Sequence, residues 1–176
     1  DRVEVAVLVG AALLLGTVLA LLRLGLSDSL TTVWAEDGPI YRGVNCVDLA
    51  ETDTLEHAAT LLWDVTGADP FEQDNCPVVS DEMRAVAEAA RGANAIDRTI
   101  AVLALAASAD PRAFTRAPEG RALLGGRIMR LVVATMLNAK SSAKPLHLQI
   151  ARVWAPEHKH AADLIRRALV LLADHE

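Results

Sequence analysis

Apolar residues recur at helical spacing through most of this chain. Leu55, Ala58, Ala59, Leu62 and Trp63 fall on one face at a 3.6-residue period, and Leu123, Leu124, Ile128, Leu131 and Val132 mark a longer helix over residues 119–138. The ends of these segments are also legible. Asp53 can cap the helix that follows while Glu56 reaches back, a capping box, and Thr66-Gly67 is a stop signal. Ser80 is a predicted N-cap with Asp81 and Glu82 in the positive first turn, opening a helix that runs to Gly92. Asn94 can cap "AIDRTIAVLALAA", which ends before Asp110-Pro111. Pro145 and Pro156 stand at first-turn positions, where a missing N–H costs nothing, and open two further helices. From Gly25 to Asp53 the pattern is irregular or short and extended, with the turn signals Asp37-Gly38-Pro39 and then Gly43. Strand alternation nowhere persists beyond a few residues. The expected fold is all-α and multi-helical, with a short extended or β piece near residues 30–43.

The first 25 residues stand apart. Val5 to Leu22 is an 18-residue run without charge, ended by Arg23. That is long enough for a membrane-spanning helix, or for an uncleaved signal-like segment, although for the latter Asp1 and Glu4 beside Arg2 make a poor positive flank. A helix buried on all sides in a helical core or subunit interface has the same composition. These readings stay open, and residues 26–176 are treated as the body of the chain.

Composition narrows the rest. The 176 residues are 52% apolar, which excludes a disordered chain, and only 3% aromatic, which disfavours a sheet protein built on aromatic and β-branched runs. A net charge of −6 without a basic cluster argues against a nucleic-acid partner. Cys46 and Cys76 fit no zinc spacing, leaving two unpaired thiols or a single disulfide. No metal site is expected.

Four segments, in order, resemble the citrate synthase family. "GPIYRGVNCVDLAETDTLEHAATLLWD" (residues 38–64) looks like the family's opening, where an extended piece ending in Tyr-Arg-Gly leads into two helices. "IAVLALAASADPRAF" (residues 100–114) resembles its next alanine-rich helix. "PLHLQIARVW" (residues 145–154) and "AADLIRRALVLLADHE" (residues 161–176) resemble the two segments that lead to its active site. The similarity covers residues 27–176 and implies the N-terminal part of the family's large helical domain, ending just past the first catalytic residue. The family's following Asn-x-Ser-Thr-like stretch is not in this sequence.

The resemblance implies condensation of acetyl-CoA, or another acyl-CoA, with oxaloacetate to give citrate and CoA, the entry reaction of the tricarboxylic acid cycle. It implies a cytoplasmic homodimer with no permanently bound cofactor, the acyl-CoA being a cosubstrate. His175 in Asp174-His175-Glu176 is then the catalytic histidine, donating a hydrogen bond to the thioester oxygen as the methyl proton leaves. A well-placed donor of this kind contributes about 3 kcal/mol in the transition state. His147 occupies the place of a family histidine that hydrogen-bonds oxaloacetate. There the family's better-known form has an asparagine four residues on, where this chain has Ala151. His147 is therefore read as a substrate ligand, against a satisfied or surface histidine. The carboxylate base, the second catalytic histidine and the dicarboxylate-clamping arginines match no residue here, and the 176-residue chain alone is expected to be inactive. Two alternatives stand beside this reading: a non-catalytic binding subunit derived from the family, and a single-span membrane protein anchored through residues 5–22.

The remaining chemistry-bearing residues have plain readings. His57, and His158 with His160 in "HKH", are expected in water, the latter two facing apart on a first helical turn. Arg166 and Arg167 are within reach of Asp163 and Glu157 as surface pairs, or of an acidic cofactor tail. Arg42 can tie the extended piece to a helix end, and Trp63 and Trp154 are expected as core anchors.

Overall fold

A computed structural model of the protein describes residues 32–35 and 38–174. The Val5–Leu22 run, Asp37 of the turn signal and His175 lie outside the described residues. Among the described residues the chain is mostly helical, with one small antiparallel sheet. The described residues form two compact units: those up to Val65 together with those from Lys144 on, and residues 66–143.

The first unit opens with strands β1 (Thr32–Ala35), β2 (Gly38–Tyr41) and β3 (Val44–Asn45), paired in that order and all antiparallel. Ile40 pairs with Asn45 and Tyr41 with Val44, leaving Arg42-Gly43 as a two-residue loop. Both loop residues have positive φ, 45° and 88°. Such a primed turn matches the twist of its strands, and glycine carries its second position without strain.

Helix α1 (Cys46–Thr52) follows at once, capped by Asn45, whose side chain accepts from Val47 N at 2.8 Å. Helix α2 (Leu55–Leu62) is capped by Thr54, which accepts from His57 N at 3.3 Å. The cap thus falls one residue later than the predicted Asp53, which ends α1 instead and pairs with the exposed His57 ring at 2.5 Å. Helices α6 (Leu146–Trp154) and α7 (Ala161–Leu171) complete the unit. Pro145 does open α6, but Pro156 opens nothing: residues 156–160 are turns and α7 starts at Ala161. Helix α7 packs against α6, α1 and α2, and the shared core holds Leu49, Ala58, Leu146, Ile150, Ile165 and Val170. Trp63 and Trp154 are half-buried at the ends of α2 and α6 rather than core anchors.

The second unit contains α3 (Asp81–Ala89), α4 (Ala95–Ala109) and α5 (Pro118–Met136). Ser80 and Asn94 cap α3 and α4 as predicted, accepting from Met83 N and Asp97 N, while α3 stops three residues short of Gly92. Met83, Val102 and Leu131 pack together. On α5 the buried stripe runs through Ala122, Gly125, Gly126 and Met129, with Leu123, Leu124 and Ile128 only half-buried. The reason is the loop before α3. Pro70 O lies where a Cβ on Gly126 would stand, and Asn75 Nδ2 donates to Pro70 O and Leu123 O, each at 2.7 Å. Buried Arg130 donates to Glu72 O at 2.7 Å and to Phe71 O, and stacks over the Phe71 ring.

Candidate functional site

Side chains from elsewhere in the chain close the helix ends of the first unit, and these contacts surround the candidate histidines. A helix leaves its last carbonyls and first N–H groups without internal partners. Tyr41, fully buried, has its hydroxyl 3.2 Å from Val170 O and 3.0 Å from Leu171 O at the end of α7. Burial pushes that hydroxyl's pKa up to about 12, and the backbone of Asp174 also hydrogen-bonds it. The neighbouring Cys46 thiol is raised by burial and pulled partly back by a hydrogen bond with Tyr41. So Tyr41, at the end of β2, holds the chain just before His175.

Arg42 does tie this piece to a helix end, donating from Nε to Leu62 O at 3.2 Å and pairing with Asp64 at 3.3 Å. Arg166 closes α1. It donates to Ala50 O at 2.9 Å, Asp53 O at 2.8 Å and Glu51 O at 3.0 Å, as well as to Asp163 at 2.7 Å. Its side chain is 11% exposed, so the expectation of a surface pair is corrected for this residue. Arg167 keeps that role, half in water between Asp163 and Glu51.

His147 sits in the first turn of α6 and is buried, 8% exposed, with its Nδ1 lacking any hydrogen-bond partner. Burial holds the imidazole below its ordinary pKa. Against that, Glu56 favours the charged form, Arg166 opposes it and Asp163 favours it. Ala151, four residues along α6 on the same face, is buried and offers no polar atom. Pro145 supplies no side-chain oxygen at the start of α6. Glu56 of α2 fills the gap: its Oε1 accepts from Leu146 N at 2.7 Å, while its Oε2 is buried without a partner. Glu56 therefore does not reach back within its own helix. It closes the beginning of a helix 90 residues further on.

The other candidates are plainer. His57 is exposed, as are His158 and His160. These last two lie in a turn rather than on a helix, with ring centres 6.5 Å apart edge to face. Both cysteines are free. Among the described residues no three His, Cys, Asp or Glu side chains converge as metal ligands, and no helix is long and apolar enough to cross a membrane.

Sequence reasoning gave Glu56 and Arg166 other roles and missed the helix ends they close. The available signal was weak: Arg166 follows Ile165 at the edge of the buried face of α7, and Pro145 leaves a helix start needing an acceptor. No protein-family model, curated protein or solved structure matches the chain.

Proposed function

We propose that this chain carries part of a citrate-synthase-type site, in which oxaloacetate and acetyl-CoA, or another acyl-CoA, are joined and CoA is released. The observation that carries the reading is His147, a buried imidazole with a free ring nitrogen, on a helix packed against the helix that leads to Asp174-His175. The free nitrogen marks a ring that hydrogen bonds within the protein have not fully committed, which leaves it able to bind a polar ligand. In this reading His147 binds oxaloacetate and His175 donates to the thioester oxygen where enolate charge develops. Tyr41 holds the segment before His175 through the end of α7. The carboxylate base, the second histidine and the arginine clamp of the family are assigned to no residue of this chain. The working enzyme is proposed as a homodimer.

The test is release of free CoA from acetyl-CoA and oxaloacetate. It is run with a polypeptide supplying the family's downstream residues, on the wild-type chain and on the His175→Ala and His147→Ala variants. Release that His175→Ala abolishes supports the reading, with His147→Ala expected to weaken oxaloacetate binding. No release and no oxaloacetate binding under any of these conditions refutes it. Oxaloacetate binding without release leaves a binding subunit.

A further inference from the structure

Glu56 Oε2 and His147 Nδ1 are both buried, both without a partner, and both adjoin one hydrogen bond. The carboxylate whose Oε2 is free holds Leu146 N through its Oε1 at 2.7 Å, and His147 is the next residue. An ionised carboxylate oxygen only accepts, whereas Nδ1 of a neutral imidazole donates or accepts according to tautomer. In the structure these two atoms do not bond each other; brought within hydrogen-bond reach, with the proton on Nδ1 and Oε2 accepting, they satisfy each other.

The other charges near His147 come from α7 and are already committed. Arg166 is held by three α1 carbonyls and Asp163, and Asp163 by Arg166 and Arg167. Of the charged groups that influence the ring, Glu56 alone keeps an uncommitted oxygen.

We propose that Glu56 is the positioning residue for His147: Oε1 fixes the start of α6, and Oε2 fixes the proton on Nδ1, leaving Nε2 as the nitrogen that meets ligand. A second proton on Nε2 then converts the ring into a cation lying between Glu56 and an anionic ligand. That ligand is the dicarboxylate of the proposed function, and this last step alone rests on that reading. The bound acid, which only accepts hydrogen bonds, accepts one from Nε2–H, so its binding draws one proton from solution onto the ring.

The test is the tautomer and titration of His147 in the full chain, read from its imidazole nitrogen chemical shifts by NMR, for wild type and Glu56→Gln. The glutamine carbonyl still accepts from Leu146 N, so the helix start is kept. Its amide then points N–H toward Nδ1, which must become an acceptor. The expected result is an Nδ1–H ring in the wild type and an Nε2–H ring in Glu56→Gln, with the titration midpoint lower by about one pH unit. Removing the Glu56 charge lowers the midpoint in either case, whereas a residue that merely caps α6 would leave the tautomer unchanged, and an unchanged tautomer overturns the proposal. So does an Nε2–H ring in the wild type, which decides the matter even if the variant does not fold. Calorimetry of oxaloacetate binding in buffers of different ionisation enthalpy then reads proton uptake. Absence of binding there counts against the proposed function and leaves the tautomer result standing, while binding without uptake removes the last step.

Discussion

Replacing Arg166 with methionine keeps most of the apolar stem and removes the guanidinium. It strips the donor from Ala50 O, Asp53 O and Glu51 O at once. The three carbonyls are not equal. Glu51 is exposed, and water can replace the guanidinium at its carbonyl. The contact with Asp163, itself 51% exposed, is screened by water and contributes little. Ala50 is buried and Asp53 half-buried, so their carbonyls lose charge-assisted hydrogen bonds that solvent restores poorly. Bonds to charged groups contribute about 1.5–3 kcal/mol each, and one nitrogen serves both carbonyls, so the expected loss is about 3 kcal/mol. Arg166→Lys, whose single ammonium replaces one arm of the fork, should recover about half. All three tryptophans, Trp34, Trp63 and Trp154, belong to the first unit, so urea unfolding followed by tryptophan fluorescence reads that unit alone. The midpoint should fall with little change in slope. A loss below about 1 kcal/mol for Arg166→Met would refute the claim that this side chain, rather than water, closes α1.

Tyr41 is the chain's single tyrosine, so tyrosinate absorbance reports it without interference. Its folded pKa of about 12 exceeds the unfolded value of 10.0, so the folded state holds the proton more tightly. The stability this contributes is fully present below pH 10 and is lost as pH rises toward about 12. Tyr41→Phe should remove that alkaline loss while costing about 1 kcal/mol at neutral pH, measured by urea unfolding at several pH values. In the second unit, a Cβ on Gly126 would stand 2.2 Å from Pro70 O, a backbone atom that cannot swing aside. Gly126→Ala should therefore destabilise that unit by about 1–3 kcal/mol, read by hydrogen exchange of α5 amides. Gly92→Ala, which meets nothing within 4 Å, should stay within about 0.5 kcal/mol of wild type.

These perturbations fall on contacts of different sequence range, and legibility followed that range. Ser80 and Asn94 were readable as caps because each acts on an N–H three residues away. Asp53 against Thr54 shows the resolution of such reading: two adjacent residues can both cap, and the backbone path out of α1 selects Thr54. Pro156 shows a second limit. A proline tolerated in a first turn does not require one, and the chain stays in turns to His160.

For the candidate site, the sequence by itself determined the residue types and their order: a mostly helical chain, an extended piece ending at Tyr41, and His147 in a first helical turn. All of these rest on local spacing and propensity. Tertiary structure alone decided which helix ends Tyr41, Arg42 and Arg166 close, and that Glu56 serves α6 rather than its own helix. It also decided that His147 and Glu56 each keep a buried atom without a partner. The physical reason is that an unpaired carbonyl or N–H at a helix end accepts any complementary side chain that packing brings near. Partners 20 to 130 residues apart leave no periodic trace in the chain that contains them.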